Sequence, residues 1–159
     1  MPYEDTGLGG TSGLSGVSAS HDESLVSVVK QAGRRRRKYA VVCPHAGKGF
    51  CFNQFKRTLF QLPLADSHVL LYDNSRSEKH SVRLEKLSKS LPAYTLVRDD
   101  NQPESIESTV DFKAIIDRCS AVYQNIYENY LPEKSDYVVN LEDDVLAPKG
   151  SFDRLSNVL

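Results

Sequence analysis

The 159-residue chain carries 20 Lys and Arg against 21 Asp and Glu, a formal net charge of -1, with 40% hydrophobic and 26% charged residues. That balance belongs to an ordinary domain large enough to enclose a core. It excludes a general nucleic-acid binder, whose affinity needs a basic surface to neutralise phosphates. Cys43, Cys51 and Cys119 are an odd, scattered set with no CxxC pair, which favours reduced thiols over a disulfide framework or a zinc site. No apolar run approaches the roughly 20 residues of a membrane span, and the N-terminus lacks the apolar stretch of a secretory signal. A cytoplasmic protein is expected, with membrane association not indicated.

Residues 1–38 and 39–159 differ in character. "MPYEDTGLGGTSGLSGVSAS" is Gly- and Ser-rich with little to pack, and reads as a flexible tail. "HDESLVSVVKQAG" (21–33) is expected to form a short helix, capped by Ser20 or Asp22 and stopped at Gly33. The run Arg34 to Lys38 has two readings, a phosphate- or membrane-surface patch and a solvated linker, and the linker is preferred. From Tyr39 the pattern becomes regular. Four apolar, β-branched runs, "YAVVC" (39–43), "HVLLY" (68–72), "YTLV" (94–97) and "YVVNL" (137–141), are continuous, as strands buried on both faces of a parallel sheet should be.

Helical periodicity fills the intervals. Phe52, Phe55, Leu59 and Leu62 share one face of a segment closed by Pro63, and Val82, Leu84, Leu87 and Leu91 do the same before Pro92. The longest stripe is Phe112, Ile115, Ile116, Cys119, Val122, Tyr123, Ile126 and Tyr130, preceded by a capping-box-like "STVD" (108–111) and ended by Leu131-Pro132. "SFDRLSNVL" (151–159) predicts one or two amphipathic turns with Phe152, Leu155 and Leu159 inward. Strand–helix alternation at this spacing predicts an α/β fold, a mostly parallel open sheet with flanking helices.

Ligands of such sheets bind beyond the carboxyl ends of the strands. The four strand ends read Pro44-His45, then Asp73-Asn74-Ser75, then Arg98-Asp99-Asp100, then Glu142-Asp143-Asp144. A rim this rich in carboxylate suits a hard dication, Mn²⁺ or Mg²⁺, which would in turn hold phosphates. "HAGKGF" (45–50) lacks the first Gly and the Ser or Thr of a P-loop and reads as a glycine-permissive turn. His45 is either a ligand contact or a solvated loop histidine. His21, His68 and His80 have no metal-like spacing, and Cys43 and Cys51 read as buried thiols. The plain reading of the acidic triplet is a helix cap, with Asp143 or Asp144 capping a short helix near Pro148.

An apolar strand ending in Pro44, a second ending in Asp73-Asn74-Ser75, an amphipathic helix and then "VVNLEDDV" resemble the nucleotide-sugar half of GT-A glycosyltransferases, particularly the family 2-like group. The resemblance covers about residues 39–155, and its most specific element is the EDD version of the DxD motif. It implies a Rossmann-like donor-binding domain. Pro44 and His45 would border the nucleoside, Asp73 would accept a hydrogen bond from the base, and Asn74 and Ser75 would shape that loop. Asp99 or Asp100 would lie near base or ribose, Arg118 would either reach the diphosphate or be a plain surface arginine, and Asp143 would face the ribose or sugar. Asp144 would bind the metal, with Glu142 contacting it through water. The donor implied is a nucleotide-diphospho-sugar, UDP-type by family default, and the acceptor is unspecified. A dication at the leaving diphosphate would lower the barrier as a Lewis acid. No residue stands out as the catalytic base. The chain ends 15 residues after Asp144 with no acceptor half, so a fragment, a truncated gene product or a donor-binding module completed by another chain is expected, with a completing chain or a homo-oligomer as the partner. Two alternatives remain: a nucleotidyltransferase of related fold, and a non-catalytic interaction module with a solvated acidic rim.

Overall fold

A computed structural model describes residues 26–31, 37–100, 112–132 and 135–158. The four apolar runs become strands β2 (Tyr39–His45), β3 (Ser67–Asp73), β4 (Tyr94–Asp99) and β5 (Tyr137–Asn140), and all four are parallel. A further strand, β1 (Val26–Gln31), pairs antiparallel with β4, giving the sheet order β1-β4-β3-β2-β5. Helix α1 (Phe52–Leu59) follows β2, α2 (Glu78–Ser88) follows β3, α3 (Phe112–Asn129) precedes β5, and α4 (Ser151–Ser156) follows it.

Alternation along the strands feeds two cores on the two faces of the sheet. Val41 and Cys43 of β2 and Val69 and Leu71 of β3 join Phe52, Phe55 and Leu59 of α1 and Leu84 and Leu87 of α2. The intervening Val42, Leu70 and Tyr72 pack with Val97 against Val122 and Ile126 of α3. Every residue of β3 is buried, as the continuous apolar run predicts for an interior strand. Each fully buried Val or Leu contributes about 1.5–3 kcal/mol of transfer free energy, so these central strands anchor the fold.

Three expectations are corrected. Residues 26–31 form a strand where the composition predicts a helix. Val26, Val28 and Val29 are β-branched, and the open edge of β4 offers six residues of register from Val26↔Asp99 to Gln31↔Tyr94, more than an isolated short helix can gain. The stripe of α3 is buried only in its C-terminal half: Val122 and Ile126 are enclosed, whereas Ile115 and Ile116 are 43% and 58% exposed and Cys119 is exposed. In α4, Phe152 packs edge-on against Tyr39, but Leu155 faces outward. The edge strand β5 alternates between partial burial and exposure, because its outer flank has no neighbouring strand among the described residues. Residues 1–25 and 101–111, with the expected tail and capping box, lie outside the described residues, as does Leu159.

Candidate functional site at the strand ends

The sheet order reverses at β2: β3 and β4 build outward on one side and β5 on the other. The order reversal lies at the carboxyl ends of β2 and β5, the place where open α/β sheets take ligands in a crevice. A cleft of about 150 Å³ lies there. Pro44 and Ala46 from the end of β2, Asn74 from the end of β3 and Glu142 and Asp143 from the end of β5 line it. Arg118, Cys119, Val122 and Tyr123 of α3 form the opposite wall, and Lys48 closes the rim. Five of the residues expected at a donor site, Pro44, Asn74, Arg118, Glu142 and Asp143, thus meet in one place. The Asn74 side-chain oxygen is enclosed and has no hydrogen-bond partner among the described residues.

The two-residue alternation of strands divides the remaining expected residues between faces. His45, one position beyond Pro44, points to the α1/α2 side, where it is fully buried against Phe55 with ring centroids 4.5 Å apart. It is neither a cleft contact nor a solvated loop histidine. Asp73 turns to the same side. Its carboxylate accepts the Ser75 backbone N–H at 3.1 Å and the Ser81 hydroxyl, so it is engaged in holding the β3–α2 loop. Ser75 packs beneath Gly47 and accepts the Ser77 N–H at 3.2 Å. Asp100 pairs with Arg98, which also reaches Glu78. Asp99 accepts a hydrogen bond from Tyr72, whose hydroxyl in turn accepts one from Asn125 at 2.8 Å.

The same alternation separates the three consecutive carboxylates. Glu142 faces α3 and accepts the Tyr123 hydroxyl at 3.1 Å. Asp143 turns inward at the base of the cleft, where it is buried, accepts the Ala46 N–H at 3.2 Å and approaches His45. Burial raises its pKa, opposed by Lys48 and the Ala46 hydrogen bond. Asp144 stands at the rim, paired with Lys48, and that hydrogen bond holds its carboxyl below the usual range. The helix-cap reading is not observed, since the N-cap of α4 is Gly150 and no side chain caps it. Burial raises both the Cys43 thiol and the Tyr123 phenol; the nearby Glu142 charge adds to the latter.

Sequence reasoning missed Lys48, Tyr123 and His80. Lys48 sat inside a discounted P-loop likeness, although the glycines around it were the signal: Gly47 has φ +83° and approaches Ser75 closely. Tyr123 was absorbed into an apolar stripe, yet its hydroxyl is the polar end of a ring at the helix–cleft boundary. His80 lies 35 positions from His45, and no local spacing connects a strand end with the first turn of a later helix.

The parallel strands, the flanking helices and the crevice at the order reversal define a Rossmann-like α/β protein. Among the described residues no helix is long and apolar enough to cross a membrane. Compared with protein-family models and with curated proteins, the sequence matches none.

Proposed function

We propose that this chain is the donor-binding domain of a GT-A-like glycosyltransferase, which binds a nucleotide-diphospho-sugar, UDP-type in the first instance, for transfer to an acceptor hydroxyl. The observation that carries the reading is the crevice itself: Pro44, Asn74 and Arg118 converge at the switch point with Glu142, Asp144 and Lys48 at its mouth. At about 150 Å³ the cleft is smaller than the about 300 Å³ at which drug-sized ligand sites begin. It therefore takes the base and leaves the ribose and diphosphate toward the rim. The unpartnered Asn74 oxygen suits the imide N–H of uracil, a role the engaged Asp73 carboxylate does not fill. Arg118 and Lys48 supply positive charge for the diphosphate.

The rim suits a hard dication, because Asp144 and Glu142 are both exposed oxygen donors at the mouth of the cleft. Asp144 and Glu142 would hold Mn²⁺ or Mg²⁺, which would supply Lewis-acid stabilisation of the leaving diphosphate. Holding the ion would draw Asp144 away from Lys48, whose ammonium would then be available to the phosphates. Calorimetric titration with UDP, GDP and CTP, each with and without Mn²⁺, tests the reading. Metal-dependent UDP binding that Asp144→Ala abolishes is the expected result. Binding of a free nucleoside triphosphate, with turnover of a sugar 1-phosphate, would select the nucleotidyltransferase instead.

One observation favours a second reading, the non-catalytic interaction module. Glu142, Asp143 and Asp144 each have a separate protein partner, a hydroxyl, a backbone N–H and the Lys48 ammonium, so every carboxylate of the triplet is engaged without any ion. Failure of every nucleotide to bind would select it.

A further inference from the structure

His45 and His80, on the α1/α2 side of the sheet, and Asp143, which also lines the cleft, each offer a buried ligand atom, with all of these atoms within 4.8 Å of one another. They come from three elements: the end of β2, the first turn of α2 and the turn after β5. We propose that this triad is a binding site for a divalent transition metal, Zn²⁺ by its ligand chemistry, distinct from any hard cation at the Asp144 rim.

Unpaired ring nitrogens motivate the assignment. Both nitrogens of His45 and both of His80 are enclosed with no hydrogen-bond partner among the described residues, although the two residues are 0% and 3% exposed. Each such group forfeits on the order of 1–3 kcal/mol against a satisfied one. Packing alone does not call for imidazoles here. The rings lie edge-on to Phe55 at 4.5 Å and Phe52 at 5.7 Å, surroundings in which a phenyl ring would fit without the polar cost. The His45 Nδ1 to Asp143 Oδ2 separation of 3.8 Å is too long for a hydrogen bond. It lies close to the about 3.3 Å between ligands of a tetrahedral zinc centre, given bonds near 2.0–2.1 Å.

The three ligands are also held in place. His80 sits where the Ser77 hydroxyl accepts its backbone N–H as the α2 cap, and the His45 carbonyl accepts the Asn74 N–H at 3.0 Å. Asp143 is fixed by the Ala46 N–H. Two neutral imidazoles and one carboxylate are the donor set of many three-ligand zinc sites, in which water completes the tetrahedron. Burial favours the neutral imidazole, the form that ligates. An ion here would tie the β5 turn to β2 and α2.

The test uses the full chain stripped with chelator and titrated with Co²⁺ and Zn²⁺. The expected result is one Co²⁺ per chain with visible d–d bands, no thiolate charge-transfer band in the near ultraviolet, and a Tm raised by several degrees in Zn²⁺. His45→Phe and His80→Phe should fold, as judged by circular dichroism, and lose both signals. His80→Gln, closer in polarity to the native residue, carries the same test if a phenyl variant misfolds. Asp144→Asn should retain the bands, which separates this site from the donor rim whether or not nucleotide binds. Absence of d–d bands in the native chain overturns the assignment, as does a Co²⁺ spectrum that survives in any folded histidine variant.

Discussion

At the level of single residues, two positions make measurable demands. Gly47 adopts φ +83°, and a Cβ placed there would stand 2.8 Å from the Ser75 Cβ. Alanine would meet both the left-handed strain and a backbone-anchored neighbour, so Gly47→Ala should destabilise by about 1–3 kcal/mol in a denaturant titration. His45, held by burial to a pKa of about 3, makes the second demand. The unfolded chain takes up this proton below about pH 6.5, whereas the folded chain resists it until about pH 3. Its contribution is therefore intact above pH 6.5 and declines as pH falls toward 3, by up to about 1.4 kcal/mol per pH unit. Metal-free His45→Phe should show a flatter acid limb than the native chain when stability is followed against pH. These residues were only half legible. The turn chemistry of "HAGKGF" was visible, but the histidine's burial depends on which face of β2 its position occupies, which requires the strand to be phased against its neighbours.

Among the elements, α3 is the one whose two halves behave differently. Ile126 is fully enclosed, while Ile116 is 58% exposed. Ile126→Ala should cost about 2–4 kcal/mol and Ile116→Ala less than about 0.5 kcal/mol in parallel thermal unfolding curves. Periodicity located the helix because a stripe at 3.6-residue spacing is a local property. It did not show that the stripe outruns the sheet beneath it, which is a matter of tertiary length. The central strands were legible for the converse reason: burial on both faces leaves an uninterrupted apolar run, as in "HVLLY". β1 was not, since Val-Ser-Val-Val satisfies either period and its pairing partner lies far away in sequence.

Across the whole molecule, stability is graded from the centre of the sheet outward. β2 and β3 have strand neighbours on both sides, whereas β1 and β5 are edges among the described strands. Native-state hydrogen exchange should find the amides of Val41–Cys43 and Val69–Leu71 protected nearly to the global unfolding limit, with Val138 and Val28 exchanging through smaller openings. The rim at the strand ends was foreseeable from topology, because parallel strands deliver their outgoing loops to one edge. The partition of that rim escaped. Pro44, Asn74 and Glu142 face one chamber, His45 and Asp73 face the other, and Asp143 borders both, an outcome of the pleat continuing past the last hydrogen-bonded residue. The phenol of Tyr123 resting on Glu142 has a practical corollary. The chain has eight tyrosines and no tryptophan, so its near-ultraviolet emission comes from phenols alone. Any molecule that enters the crevice and draws Glu142 away will change the light from that one ring, and subtracting the signal of a Tyr123→Phe protein turns the native chain into its own optical gauge of occupancy.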